Sequence, residues 1–115
     1  SKICTDLEQS KKLAEILPLE SADMHYSTWT ILDGEFIVSP NQGSTIEDLQ
    51  EDYGNQIIPC WSLTALLSVL PTFTIDCSDD HYFRVHCQQK FSEWHDNPID
   101  ACVAMIERLC ELKML

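Results

Sequence analysis

The chain has 115 residues, the length of one ordinary domain, and its apolar and charged fractions are those of a globular protein, which excludes intrinsic disorder. Seven lysines and arginines oppose 19 aspartates and glutamates, so the formal charge is −12. A field of this sign repels nucleic acids and anionic membranes, and it favours a basic protein surface or a cation. The polar start of the chain and six evenly spread cysteines predict a reduced, cytoplasmic protein.

The chain begins with a predicted amphipathic helix. Thr5 and Glu8 have the spacing of a capping box, in which each side chain accepts a hydrogen bond from the other residue's backbone N–H. Apolar residues follow at helical spacing, and Pro18 ends the pattern.

A β-hairpin is predicted next, because Asp33-Gly34 is a strong signal for a two-residue turn. That turn would place Leu32 opposite Glu35, Ile31 opposite Phe36 and Trp29 opposite Val38. Tyr26 would then point away from the core. The four apolar residues expected on the core face are Trp29, Ile31, Phe36 and Val38.

Residues 40–55 are predicted to be the longest irregular segment, with room for a short helical turn over residues 45–49. Long loops often carry function, and this one contains a small acidic cluster. A solvated connector is the alternative interpretation. The candidate interaction residues in this segment are Glu47, Asp48, Glu51, Asp52 and Tyr53.

A second helix is predicted over residues 60–70, apolar nearly all round and therefore central. Residues 57–75 carry no charge over nearly the length of a membrane span. Pro59 and Pro71 interrupt this run, which favours a buried helix followed by a strand. Cys60 would lie at the N-terminus of that helix, where the dipole activates a thiol. Its apolar neighbours favour burial instead.

A second hairpin is predicted from two alternating segments. Burying both apolar sets on one face requires Ile75 opposite Phe83 and Phe73 opposite Val85, which leaves residues 78–80 as a three-residue loop. Phe91 and Trp94 then indicate a short further strand or a covering loop. Two acids of the predicted loop are added to the candidate interaction residues, with turn chemistry as the simpler explanation: Asp79 and Asp80.

The candidates for metal binding are Cys77 and His81, which have the spacing of half a zinc site. The neighbouring pair of His86 and Cys87 does not fit, because adjacent strand residues point to opposite faces. The register also buries Cys77 and Cys87 together. Zinc is therefore disfavoured, and the sequence predicts no cofactor and no catalytic residue, since nucleophile-elbow and glycine-rich phosphate motifs are absent from it.

The last helix has the clearest local signals. Asn97 can cap it, Pro98 suits its first position, and Asp100 lies where the helix dipole favours an anion. Its predicted apolar stripe consists of Ile99, Cys102, Val103, Ile106, Leu109 and Cys110. The whole chain thus predicts a single α+β domain over residues 1–115, in the order α-ββ-α-ββ(β)-α, with one mostly antiparallel sheet of four or five strands and helices on one face.

Three segments resemble small uncharacterised bacterial proteins of the prophage or mobile-element type from gut anaerobes. They are ICTDLEQSKKLAEILPLESADM at residues 3–24, IPCWSLTALLSVLP at residues 58–71 and DNPIDACVAMIERLCELKML at residues 96–115. The resemblance implies a cytosolic accessory protein, and such proteins often bind host factors. It carries over no functional residue.

We therefore expect a non-catalytic, acidic protein-interaction or regulatory domain. The expected partner is a protein, with a basic host factor favoured by the charge and a homodimer left open; nucleic acid and membrane are not expected. Tyr26, Tyr53, Tyr82 and Trp94 are the aromatic candidates for an interface. The alternative is a small-ligand-binding protein or an enzyme, with a site between the sheet and the 40–55 loop.

Overall fold

The computed structural model describes residues 2–32 and 35–115, and of residues 29–32, 35 and 55 it describes the backbone alone. These residues form helices and antiparallel sheets, which confirms the α+β class. The helices are α1 (Leu7–Ile16), α2 (Ile46–Tyr53), α3 (Leu63–Val69) and α4 (Pro98–Glu111). The strands are β1 (Met24–Leu32), β2 (Glu35–Pro40), β3 (Ile57–Cys60), β4 (Phe73–Cys77), β5 (Phe83–Cys87) and β6 (Lys90–Phe91).

The strands form two three-stranded sheets, in the orders β2-β1-β3 and β4-β5-β6. The expected single sheet is therefore wrong: among the described residues, β3 adds to the first hairpin by pairing with β1, and β6 adds to the second by pairing with β5. The chain divides into two compact units. We call Asp6–Ser62 the N-terminal unit, and Leu63–Leu115 together with Ser1–Thr5 the C-terminal unit.

Helix α1 of the N-terminal unit begins one residue later than predicted. Asp6 is its N-cap: Oδ1 accepts a hydrogen bond from the Gln9 backbone N–H at 2.8 Å, and Gln9 Oε1 accepts one from the Asp6 N–H at 3.1 Å. This capping box replaces the predicted pair of Thr5 and Glu8, because aspartate and glutamine supply the same acceptors. The helix ends before Pro18, as predicted, and packs against β3.

The first hairpin keeps the predicted register only near its turn. Ile31 pairs with Phe36 and Leu32 with Glu35, as predicted. The predicted pair of Trp29 and Val38 is wrong. Ser27 pairs with Ile37 and Ile31 with Phe36, so three residues separate the paired positions in β1 and none separates them in β2. Beyond this irregularity the pairs are Ser27 with Ile37, Tyr26 with Val38, His25 with Ser39 and Met24 with Pro40.

An odd number of inserted residues turns over the faces of a strand. Tyr26 therefore shares a face with Val38, whereas the prediction placed them on opposite faces. Both are half-buried, so the predicted core position of Val38 is wrong, and Tyr26 points away from the buried face of β1, as predicted. His25 and Ser27 lie on the other face of β1 and are buried. The Asp33-Gly34 turn and the predicted core positions of the Trp29 and Ile31 side chains lie outside the described residues.

The segment predicted to be irregular contains helix α2. Thr45 caps it, accepting a hydrogen bond at Oγ1 from the Asp48 backbone N–H at 3.0 Å. The predicted helical turn over residues 45–49 is the start of this longer helix. Ile46 is its buried residue, and α2 packs against β3.

The helix predicted over residues 60–70 is shorter, because Cys60 is the last residue of strand β3, which pairs with β1. Pro59 is tolerated because β3 lies at the edge of its sheet, where a missing N–H is not required by a second neighbour. Helix α3 follows only from Leu63.

The second hairpin has the predicted faces but a register shifted by two residues. Cys77 pairs with Phe83, Ile75 with Val85 and Phe73 with Cys87, so the predicted pairs are wrong. An even shift leaves each side chain on its face: Val85 and Cys87 are fully buried, and Phe73, Ile75 and Phe83 are half-buried. Cys77 is exposed at the end of β4, so its predicted burial with Cys87 is wrong. The connecting loop is therefore residues 78–82. Ser78 closes it, since its N–H donates to Tyr82 O at 2.9 Å and its Oγ accepts from the Tyr82 N–H at 3.1 Å.

Helix α4 confirms the clearest prediction. Asn97 Oδ1 accepts a hydrogen bond from the Asp100 N–H at 2.8 Å, and Pro98 is the first helical residue. The helix packs against α3 and against β5, and Cys110 is the one predicted member of its stripe that is exposed. Within the described ranges, no helix is long and apolar enough to cross a membrane.

Candidate protein-interaction surface

The predicted interaction residues fall into two groups. Five of them lie together on helix α2, where all are exposed: Glu47, Asp48, Glu51, Asp52 and Tyr53. Asp79 and Asp80 lie instead in the loop between β4 and β5, in the C-terminal unit, and are also exposed. The structure thus places four of these residues, Glu47, Asp48, Glu51 and Asp52, on one acidic face of α2, with Tyr53 at the end of the helix, and leaves the two loop acids as a separate feature.

The acidic face of α2 works against the stability of its own helix. Glu47 and Glu51 are four residues apart, as are Asp48 and Asp52, so like charges are neighbours on the helix surface. The dipole favours Glu47 and Asp48 in the first turn but disfavours acids near the C-terminal end, and the last turn holds no basic residue. Helix formation therefore does not explain this distribution of charge.

A second surface lies on the C-terminal unit, on the face of β5 opposite its buried residues. Four side chains contact one another in series there, and we call them the aromatic surface: Arg84, His86, Phe91 and Trp94. The rings of His86 and Phe91 stack with their centroids 4.1 Å apart and their planes 6° from parallel. The Arg84 guanidinium carbon lies 4.5 Å from the centroid of Phe91 and 4.6 Å from that of Trp94.

A tight turn brings Phe91 to its place. Gln88 and Gln89 connect β5 to β6, and both have left-handed backbones, with φ of 51° and 66°. Such a turn matches the twist of the strands, but it normally takes asparagine or glycine because other side chains are strained there. It sets Phe91 directly opposite His86. The backbone strain at Gln88 and Gln89 thus lies in the turn that places Phe91 against His86.

Two further ties order the segment after β6. Buried Ser92 donates its N–H to Val85 O at 2.8 Å, and its Oγ accepts from the Val85 N–H at 2.9 Å. Phe83 and His95 then exchange backbone hydrogen bonds of 2.7 and 2.9 Å. Because this bridge continues the antiparallel pairing of β5, Trp94 comes to lie beside Arg84.

The Arg84 guanidinium contacts the two rings through its faces, and it also forms an ion pair along its edge. Its Nε and Nη2 both donate to Asp76 Oδ2, at 3.1 and 2.9 Å. Each cation–π contact is worth about 0.5–1 kcal/mol at such a site, and a partly exposed ion pair about as much. The guanidinium is thus neutralised and fixed, so the rings that contact it are ordered before any partner arrives.

The rings of this surface remain open to solvent. Phe91 is 47% exposed and Trp94 is 44% exposed, and nearby in the sequence Tyr82 is 47% exposed. Aromatic and arginine side chains are the residues most enriched at protein interfaces and at their energetic hot spots. The composition and exposure of this surface are those of a protein-binding site.

The residues considered for metal binding and catalysis occupy other settings. Cys77 is exposed and its thiol donates to Ser78 O at 3.6 Å, while His81 adopts a left-handed backbone in the adjoining loop. In residues 2–32 and 35–115, no three His, Cys, Asp or Glu side chains are grouped so that they could hold a metal ion. Cys60 is buried in β3, so its predicted position at a helix N-terminus is wrong.

Two further cysteines are protonated core residues. Burial raises the pKa of the Cys102 thiol from its ordinary value of 9.0 to about 12, and burial also raises the pKa of the Cys87 thiol. All six cysteines are free. Because a thiol must lose its proton to act as a nucleophile, these two buried groups are unreactive at neutral pH.

The alternative site was expected between the first sheet and the 40–55 segment. In this region the structure has hydrogen bonds that join neighbouring segments. His25 Nδ1 lies 2.8 Å from Asn41 Oδ1, and Asn41 Nδ2 donates to Ala22 O at 2.9 Å. Asp23 accepts hydrogen bonds from the N–H and Oγ of Ser62, the former at 2.9 Å. These polar groups connect strand β1 to the segments on either side of it.

Sequence reasoning named Trp94 and Tyr82 for an interface but missed Arg84, His86 and Phe91. The available signal was the alternation in β5, which places Arg84 and His86 on the face opposite Val85. That pattern indicates only a solvent-facing side, whereas the stack depends on the turn that follows β5. No family model, curated protein or solved structure matches the chain, so the proposals below rest on its residues and their geometry.

Proposed function

We propose that this chain is an acidic, non-catalytic protein-interaction domain whose binding site is the aromatic surface. The observation that supports it is the exposure of Phe91 and Trp94 while both contact a fixed Arg84. Nearly half of each ring faces water, and covering that area with a partner is worth about 2 kcal/mol per ring. Ordered rings lose little conformational entropy on binding, which increases the net gain.

The acidic face of α2 contributes to the same function by guiding a basic partner. Its four acids are exposed and its like-charge spacing stabilises no part of the helix. A negative surface raises the rate of encounter with a basic protein more than it raises the final affinity. The favoured partner is thus a basic protein, and a host factor is the partner that the resemblance to phage-type accessory proteins implies.

The free cysteines support a reducing compartment for this function. Cys77 and Cys110 are exposed, and exposed thiols are readily oxidised outside the cytoplasm. We therefore place the domain in the cytoplasm as part of the proposal.

The test is retention of a partner by an immobilised full chain. The wild type, the double variant Phe91→Ala/Trp94→Ala and the control Leu112→Ala would be exposed to the same bacterial lysate. Leu112 is a fair control because it is 47% exposed and lies outside the aromatic surface. We expect one protein to be retained by the wild type and the control and lost from the double variant. Equal retention by all three chains would contradict the proposal.

A further inference from the structure

We propose that the segment bound by the aromatic surface is a basic stretch of polypeptide, with a lysine or arginine beside an apolar side chain. This inference rests on the proposed function and names the chemistry of the partner. It rests on two observations: the positive charge of the surface is already paired, and the rings of the surface remain exposed to solvent.

The positive charge of Arg84 on the aromatic surface is already paired. Arg84 donates two hydrogen bonds to Asp76, and its guanidinium also lies against two rings. It therefore has little capacity left to attract an acidic ligand. Lys90 lies next to Phe91 in β6 but pairs with Cys87, and neighbours in a strand point to opposite faces.

The exposed charged residues that lie close to the surface in the sequence are acidic. Glu93 and Asp96 flank Trp94 in the sequence, and both are exposed. Asp79 and Asp80 occupy the loop that leads to Tyr82 and are exposed as well. Carboxylates this close in the sequence to the rings favour positive charge on a partner that docks there.

The rings favour the same charge. The face of an aromatic ring is the negative part of its quadrupole, and tryptophan is the strongest cation–π partner among the side chains. Arg84 demonstrates this preference within the chain, since it lies over both Phe91 and Trp94. A lysine or arginine of the partner can contact a ring and a carboxylate together, while an apolar neighbour covers the rest of the ring.

Two other occupants are disfavoured by charge. Stacked rings on a sheet also suit unpaired nucleotide bases, but the chain carries −12 and its one cation on this surface is neutralised. A second copy of the chain would bring the same −12 toward the first, so self-association on this face is opposed by repulsion.

The experiment is a selection of random dodecapeptides displayed on phage, using the immobilised full chain as bait. Selected peptides would be synthesised and their affinities measured for the wild type and for variants with an unchanged circular dichroism spectrum. We expect enrichment of lysine and arginine beside an apolar residue, and binding that weakens as salt is raised. Trp94→Ala should weaken binding about tenfold or more, as expected for a hot spot, and Leu112→Ala should leave it unchanged.

Two more variants separate the roles of ring and charge. Trp94→Phe keeps an aromatic ring and should retain most of the affinity. The triple variant Asp79→Asn/Asp80→Asn/Glu93→Gln leaves the rings in place and should weaken binding and flatten its salt dependence. If Trp94→Ala loses its fold, Phe91→Ala provides the same test on the second ring.

The outcomes distinguish this inference from the proposed function. Trp94-dependent peptides without basic residues would overturn the inference and leave the proposed function standing. Self-association abolished by Trp94→Ala would likewise show that a second copy is the occupant. Failure to select any Trp94-dependent peptide, or Trp94-dependent binding of a single-stranded oligonucleotide instead, would overturn both.

Discussion

The two units of the chain divide charge and aromatic exposure unequally. The N-terminal unit has 11 acidic and 2 basic residues, a formal charge of −9, whereas the C-terminal unit has 8 acidic and 5 basic residues, a charge of −3. The N-terminal unit buries Trp61, while the C-terminal unit exposes Trp94. Among the described side chains, negative charge is thus concentrated in the N-terminal unit and exposed tryptophan in the C-terminal unit.

The same contrast extends to how each unit uses its polar groups. In the C-terminal unit Arg84 pairs with Asp76, and Lys2 pairs with Asp100 at 2.7 Å. In the N-terminal unit the acids of α2 stand on a helix that has no basic residue. Unpaired like charges act at long range, whereas paired charges order the groups around them. In the proposed function, steering therefore belongs to α2 and anchoring to the aromatic surface.

The largest expected effect separates the two tryptophans. Trp61 is fully buried, and its Nε1 donates to Ser21 Oγ at 2.9 Å. Trp61→Ala should lower the free energy of unfolding by about 3–5 kcal/mol, because it removes a large core side chain and leaves a cavity. Trp94→Ala should lower it by about 1 kcal/mol or less. Urea denaturation of the two variants measures both values, and equal losses would break the comparison.

The second prediction concerns pH and the core of the C-terminal unit. The folded chain raises the pKa of Cys102 from 9.0 to about 12, so the unfolded chain loses that proton first as pH rises. The contribution of this group is fully present below pH about 9 and is lost progressively toward pH about 12. Stability measured across this range should fall less steeply in Cys102→Ala than in the wild type. Parallel curves would contradict the assignment.

Thiol labelling provides an independent check on the same burial. At neutral pH iodoacetamide should modify Cys77 and Cys110, which are exposed, and spare the four buried cysteines. Mass spectrometry of the labelled chain identifies the sites. Preferential labelling of Cys60 would restore the nucleophile hypothesis that its buried strand position argues against.

A smaller effect is expected in the turn that orders the aromatic surface. Replacing Gln88-Gln89 by Asn-Gly should raise stability by about 1–2 kcal/mol, because asparagine and glycine adopt left-handed backbones with less strain. Binding by the aromatic surface should be retained, since Phe91 keeps its position opposite His86. A loss of stability would show that the glutamine side chains do more than connect the strands.

The smallest expected effect tests whether α2 carries charge at its own expense. Glu51→Lys would create a favourable pair with Glu47 and place a cation near the C-terminal end of the helix, a gain of about 0.5 kcal/mol. Glu47→Lys is the matched control, because it gains the same kind of pair but opposes the dipole. Thermal denaturation should rank Glu51→Lys above the control, and the reverse order would contradict the electrostatic argument.

Local signals predicted the parts of the fold that depend on neighbours in the sequence. Asn97 and Pro98 predicted the start of α4, and the alternation of Phe73, Ile75, Phe83 and Val85 predicted the faces of the second hairpin. The acids of α2 were predicted to be exposed together, but not that they lie on a full helix. These successes share one cause: capping and alternation are decided within a few residues.

Features that depend on distant pairing could not be predicted in the same way. Ile57–Cys60 is a short apolar run for which the sequence predicts no strand, and it becomes one by pairing with the edge of β1. The irregularity in β1 and the two-residue shift between β4 and β5 arise from pairings that the pattern alone does not fix. The contact of Arg84 with Phe91 and Trp94 likewise needs the turn after β5 and the bridge of Phe83 with His95.

The central claim is that the aromatic surface, and not the acidic helix, makes the anchoring contacts. The most direct measurement is the amide and indole NMR spectrum of the full chain during titration with a selected basic dodecapeptide. We expect the largest shifts at the Trp94 indole N–H and at the backbone of Arg84 and Phe91, while the indole of buried Trp61 stays in place. Largest shifts on α2, with Trp94 unchanged at saturation, would contradict the account.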